Sequence, residues 1–138
     1  MDPDEARIAR VFGAKNVPKV SQKNLLKYRQ YLLKHFDRKT ILTGREDFPW
    51  EEYYVLGPGS LAEYEKLKKT NPSYTDKYEF IDLSEEEVEE NDLLATVKRL
   101  SDGMNFEVGL SWFTTEKEVG EDFQLLDDFA TWVVNWQQ

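Results

Sequence analysis

The amino-acid sequence predicts an α+β fold, with N-terminal helices, a small antiparallel sheet and a C-terminal amphipathic helix packed on that sheet. Three observations carry the prediction. Apolar residues recur at helical spacing near both ends of the chain, and runs alternating with period two lie between them. The third is size: 138 residues, 40% hydrophobic and 14% aromatic, suffice for one substantial core but not for two. Residues 1–138 therefore read as a single domain.

The elements follow in order. Asp2 and Pro3 form an N-cap and first-turn pair, Ile8, Val11 and Phe12 share a face, and Gly13 closes this first short helix. Pro18 forces an extended link. Ser21 caps the second helix, QKNLLKYRQYLLKHF, in which Leu25, Tyr28, Leu32 and Phe36 recur at spacings of three and four. Its opposite face, with Lys23, Lys27, Arg29 and Lys34, reads as solvated. KTILTG is a short strand, REDFPW a turn, and EEYYVLG a second strand-like run leading into GPG. Ser60 caps a short helix that Asn71-Pro72 stops.

KYEFIDL, residues 77–83, and DLLATVKRL, residues 92–100, are strands on either side of an acidic stretch. Asp102-Gly103 marks a hairpin turn into FEVGLSWF. The closing segment, EDFQLLDDFATWVVNWQQ, is apolar over more than half a helix circumference, so it is expected to be pinned to the sheet by its two Trp residues. The sheet has four or five strands and room to curl into an SH3-like barrel.

Several kinds of chemistry are absent. Without cysteine there are no disulfides, thiolate metal sites or Cys nucleophiles. One histidine, His35, cannot build a zinc site, and a surface or capping role is expected for it. GPGS, residues 57–60, lacks the spacing of a phosphate-binding loop and reads as a turn. No nucleophile–base pair can be named, so the chain is not read as an enzyme. The N-terminus lacks the pattern of a signal peptide, and no apolar stretch approaches the ~20 residues of a membrane span. A soluble, cytoplasmic protein is expected. A net charge of −9 repels nucleic acid and anionic membranes, and attracts cations or basic proteins.

DLSEEEVEEND, residues 82–92, concentrates that charge, since seven of its eleven side chains are carboxylates. Calcium takes six to eight oxygen ligands, and Asp82, Glu85, Glu86, Glu87, Glu89, Glu90 and Asp92 could supply them. Crowded like charges cost folding energy, and a divalent ion would relieve that cost. The stretch is not an EF-hand: counted from Asp82, Glu87 stands where the loop needs glycine and Leu93 where it needs the bidentate Glu. A solvated, charged loop is the plainer reading of the same residues.

YRQYLLKHF, LLATVKRLSDGMNFEVGLSWFTT and EDFQLLDDFATWVVNW together resemble the small acidic calcium-binding protein family first known from cyanobacteria. Tyr28, Tyr31 and Leu32 match its Tyr-rich helix, and Asp127, Asp128, Phe129 and Trp132 match its acidic–aromatic closing helix. Phe48-Pro49-Trp50 stands displaced from the family's F-P-F segment. The resemblance implies calcium (Ca2+) binding as buffer or sensor, an SH3-like sheet, and Asp127 and Asp128 as further candidate ligands. The competing reading is an acidic interaction module that binds a basic protein through Trp50, Tyr53, Tyr54 and Trp112.

Overall fold

The computed structural model describes residues 2–85 and 91–137. Two helices come first, α1 (Pro3–Val11) and α2 (Gln22–His35), followed by strand β1 (Ile41–Gly44). A 3-10 turn at Pro49–Glu51 runs into α3 (Glu52–Val55), and α4 (Leu61–Leu67) follows. Then come β2 (Lys77–Leu83), β3 (Leu94–Arg99) and β4 (Asn105–Gly109), a 3-10 turn at Leu110–Trp112, β5 (Phe113–Thr115) and α5 (Glu121–Asn135). The architecture is α+β, with α5 packed on the sheet side of the molecule against β5, the second 3-10 turn and α1.

The helix starts obey local chemistry. Asp2 accepts from the Asp4 amide at 2.7 Å, Ser21 from Asn24 at 3.2 Å and Ser60 from Glu63 at 3.1 Å, each satisfying a free N–H of a first turn. Gly13 and Gly103 take positive φ where α1 ends and where the β3–β4 hairpin turns, which L side chains resist.

All strand pairs are antiparallel, in the order β4-β3-β2-β1-β5. Edge strands β4 and β5 are joined by only the three residues Leu110–Trp112. A flat five-stranded sheet would separate its edges by roughly 19 Å, whereas a 3-10 turn of three residues advances about 6 Å. The sheet must therefore curl toward itself. A register shift between Phe80 and Asp82 inserts Ile81 as a bulge and sharpens the bend of β2.

The curled sheet and the helices enclose one core. Tyr28, Phe129 and Trp132 are buried and mutually packed, with centroids 5.0 Å (Tyr28–Phe129), 5.1 Å (Tyr28–Trp132) and 6.1 Å (Phe129–Trp132) apart. Phe12 of the α1 C-terminus closes on Tyr28 and Trp132. Trp132 also donates its indole N–H to the Pro18 carbonyl at 2.8 Å, which ties α5 to the extended link before α2. Trp136 is only half-buried, so one of the two expected Trp anchors dominates.

Three local expectations need correction. EEYYVLG is helical over Glu52–Val55, not a strand. Pro49 starts the preceding 3-10 turn, and the buried Glu51 carboxylate accepts the Phe48 amide at 3.1 Å, which holds the chain in a turn before any strand pairing can begin. FEVGLSWF is not one strand either, because Leu110 and Trp112 lie in the 3-10 turn that carries the chain to the opposite edge. Arg29 does not share the solvated face of α2. It is buried and donates to the Leu83 carbonyl at 2.9 Å.

Because Trp132 of α5 packs on Tyr28 of α2 and on Phe12 at the end of α1 and is fully buried, Trp132→Ala should cost about 3–5 kcal/mol of unfolding free energy. Chemical denaturation measures this directly, and a loss below about 1 kcal/mol would show that the aromatic junction is not a principal contact.

Candidate functional site

The acidic connection between β2 and β3 is fastened at both ends. On the entry side Leu83 pairs with Ala95, and the Ser84 amide donates to the Leu94 carbonyl at 2.9 Å. On the exit side Asn91 takes φ 59°, a conformation its short polar side chain tolerates. Asp92 is buried. Its carboxylate accepts from the Leu93 amide at 2.8 Å, the Ser111 amide at 3.2 Å and the Ser111 hydroxyl at 2.5 Å. Gly109 gives it room, since a Cβ there would lie 2.5 Å from Asp92 Oδ2. Asp92 thus locks the connection to the second 3-10 turn.

Asp82 and Glu85 are held much less firmly. Asp82 lies 3.8 Å from Arg38 and Glu85 lies 3.6 Å from Arg29, with the two carboxylate side chains 57% and 72% exposed. Their arginines are anchored elsewhere. Arg38 donates to the Ile81 carbonyl at 2.6 Å and sits 5.4 Å from the Phe80 ring centroid, and Arg29 is held by Leu83. Exposed pairs of this length are worth roughly 0–1 kcal/mol, so either carboxylate can turn to another cation at small cost. Glu86, Glu87, Glu89 and Glu90 lie outside the described residues.

Asp127 and Asp128 diverge around α5, as adjacent helical positions must. Asp127 accepts from Arg45 Nη1 at 2.9 Å. Asp128 is buried and accepts from Arg7 Nε at 2.9 Å, Arg7 Nη2 at 3.1 Å and Gln124 at 2.8 Å, while Arg7 also bonds Asp4. The hydrogen bond that Arg7 donates to Asp128 keeps the guanidinium above its ordinary pKa, against the opposing pull of burial. A forked, charge-assisted pair of this kind fastens α1 to α5.

Among the described residues, no three His, Cys, Asp or Glu side chains converge in a group that could hold a metal ion. Asp82, Glu85, Asp92, Asp127 and Asp128 are not gathered as such a set. His35 ends α2, exposed, and stacks on Tyr31 at 4.2 Å. It borders two surface clefts of about 560 and 270 Å3 that also share Glu121. Of the four aromatics considered for a peptide groove, Trp50 and Tyr54 lean on Tyr64, Tyr53 is exposed, and Trp112 sits in the second 3-10 turn. No helix among the described residues is long and apolar enough to cross a membrane.

Two charged residues that sequence reasoning passed over organise the polar interior. Glu51 is fully buried and accepts from the Tyr64 hydroxyl at 2.6 Å, the Ser73 hydroxyl at 2.7 Å and the Tyr74 amide at 2.8 Å. Arg99 binds Asp102 at 2.7 Å and Asp76 at 3.0 Å, and donates to the carbonyls of Lys68, Lys69 and Asn71 at 2.9 Å each. Period-two alternation could have revealed Arg99, because Ala95, Val97 and Arg99 share the buried face of β3. Nothing local distinguishes Glu51 from its neighbour Glu52.

The chain matches no protein-family model, no curated protein and no solved structure.

Two pH responses follow from these surroundings. Burial pushes the phenols of Tyr28, Tyr64 and Tyr78 above their ordinary value. A raised folded-state pKa contributes stability that is complete below the unfolded value, near pH 10, and is lost as pH rises past it. These three tyrosines should ionise only as the protein unfolds, which tyrosinate absorbance followed beside circular dichroism will show. Ionisation of all seven tyrosines with the fold intact would contradict the packing. At the acid end, the hydrogen bond from Arg99 lowers Asp102 below the usual carboxylate range. Its contribution is present above the unfolded carboxylate pKa near 4 and fades as pH falls through the lower folded value, so Asp102→Asn should flatten acid unfolding below about pH 4.

Proposed function

We propose that this is a small acidic calcium-binding protein whose ion is taken by the connection between β2 and β3. One observation carries the reading most directly. Asp82 and Glu85 are exposed, Asp82 accepts from the adjacent Leu83 amide at 2.8 Å, their arginines stand 3.6–3.8 Å away, and both lie at the anchored entry to a segment holding Glu86, Glu87, Glu89 and Glu90. Exposed carboxylates whose cations stand no closer than that are hard oxygen donors of the kind Ca2+ takes. The resemblance to the small acidic calcium-binding family supports the same ion.

The surroundings divide the candidate ligands by cost. Asp92 and Asp128 are buried and already satisfied by several hydrogen bonds, and withdrawing them would strand Ser111 or Arg7. Asp127 has a direct pair with Arg45. The ligand set we propose is therefore Asp82 and Glu85 with Glu86, Glu87, Glu89 and Glu90, with Asp92 fixing the exit. The bound ion would replace mutual repulsion with attraction and stiffen the connection, as expected of a buffer or a sensor.

Calorimetric titration with calcium, paired with thermal melting, tests this. At about a hundredfold excess over the dissociation constant, linkage gives roughly 2.7 kcal/mol, or a rise of about 5–10 °C in Tm. The E86Q/E87Q/E89Q/E90Q variant should lose both the heat and the shift, and D127N should keep both. No heat and no melting shift at millimolar calcium would refute the proposal.

A further inference from the structure

Positive charge in this acidic chain is gathered around one helix. Residues 10–39 hold nine of the 18 Lys and Arg and one of the 27 acids, Asp37. Lys23, Lys27 and Lys34 stand at the centre of the solvent-facing side of α2, opposite the buried Leu25, Tyr28 and Leu32. Gln30 is the exposed residue among them, and α2 contains neither Asp nor Glu. Lys19 precedes the helix and Lys39 follows it, both exposed.

None of Lys19, Lys23, Lys27, Lys34 and Lys39 forms an ion pair among the described residues. The acids at the borders of α2 answer to other groups. Glu85 and Asp82 face Arg29 and Arg38, and Asp128 takes Arg7. Asp122 accepts from the Asp37 amide and the Thr40 hydroxyl, and Asp37 accepts from the Lys39 amide at 2.9 Å. Glu121 lies across the clefts that His35 borders. A solvated helix gains from Glu placed four residues from Lys, and loses a similar amount from like charges at that spacing. Lys23 and Lys27 have the unfavourable spacing, in a chain with acids to spare. The stripe adds nothing to the stability of α2. What it supplies is a line of unpaired cations on a rigid support, and fixed geometry lowers the entropic cost of binding a partner.

We propose that the lysine stripe of α2 docks an acidic helix of another protein. The stripe is short, since Lys23 and Lys34 are eleven positions apart, about 17 Å of helix rise. A helix laid along it can set carboxylates at the same intervals, one opposite each ammonium. A long polyanion such as nucleic acid fits it poorly, because every acid of the chain except Asp37 lies outside residues 10–39 and repels whatever extends past the stripe. No large exposed apolar side chain lies on α2, so nothing there inserts into a lipid surface. A second copy of the chain brings its own net charge of −9 against the first. The inference does not depend on calcium binding.

The test uses a synthetic helix of Ala and Glu as probe, its Glu residues spaced as Lys23, Lys27 and Lys34 are, with Lys in place of Glu as control. Binding is measured by calorimetry in calcium-free buffer, and contact residues by amide chemical shifts. The Glu probe should bind, weaken with added salt and shift residues 19–39, while the Lys control leaves those residues unmoved. Gln matches Lys in helix propensity, so K23Q/K27Q/K34Q should keep its melting temperature while its affinity for the probe falls at least about tenfold. K66Q/K69Q/K117Q removes the same charge from exposed lysines elsewhere and should bind as the unaltered protein does. Equal affinity in K23Q/K27Q/K34Q, or an equal loss in K66Q/K69Q/K117Q, would overturn the proposal. So would absence of binding at millimolar probe, or shifts centred outside residues 19–39. Tighter binding through these lysines to a DNA duplex or to phosphatidylserine vesicles would also overturn it, as would self-association through them in sedimentation velocity.

Discussion

Arginine–carboxylate pairing joins distant elements of this protein, whose sequence carries 27 acids against 18 Lys and Arg. Arg99 joins β3 to the α4–β2 connection through Asp76 and three carbonyls, and closes the hairpin turn through Asp102. Arg7 joins α1 to α5 through Asp128. Arg45, just after β1, reaches Asp127. Where one member is buried as deeply as Arg99 or Asp128, removing its partner strands a charge away from water and destabilises the fold. The guanidinium fork suits this task better than an ammonium, because one residue can satisfy several acceptors in fixed directions. Lysine appears mainly on the surface.

The same pairing sorts acids by what they are free to do. Asp76, Asp102 and Asp128 are structural, held at 2.7–3.1 Å by arginines that span separate elements. Asp82 and Glu85 face their arginines across 3.6–3.8 Å and remain largely solvated. Glu51 shows a third use: a carboxylate buried without a cation, stabilised by amide and hydroxyl donors, that ties the turn before α3 to α4 and to the α4–β2 connection. The acidic connection and the α3–α4 segment are thus separate features with separate supports.

The sequence was most informative where one local rule suffices. The caps at Asp2, Ser21 and Ser60, the alternation of β2 and β3, the Asp102-Gly103 turn and the apolar breadth of α5 each follow from a few adjacent residues. It misled where tertiary contacts override local preference. Tyr53, Tyr54 and Val55 suit a strand, yet Pro49 and Glu51 commit the segment to turns. Leu110 and Trp112 fit the alternation of β4, but closing the curled sheet requires a 3-10 turn there. Arg29 looked solvated beside three lysines because nothing local announces the Leu83 carbonyl 54 positions away. Of the site, the acidic stretch was plain from composition. That Asp92 is locked to Ser111, and that Asp127 and Asp128 answer to different arginines, depends on contacts between distant parts of the chain.

The most direct measurement of the central claim is a calcium titration followed by backbone amide chemical shifts. If calcium is taken by the β2–β3 connection, the amides of Asp82–Glu85 and Asn91–Leu93 will move and saturate, while those of Asp127 and Asp128 stay where they began. A spectrum unchanged by calcium, or one whose shifts centre on α5, would contradict the account.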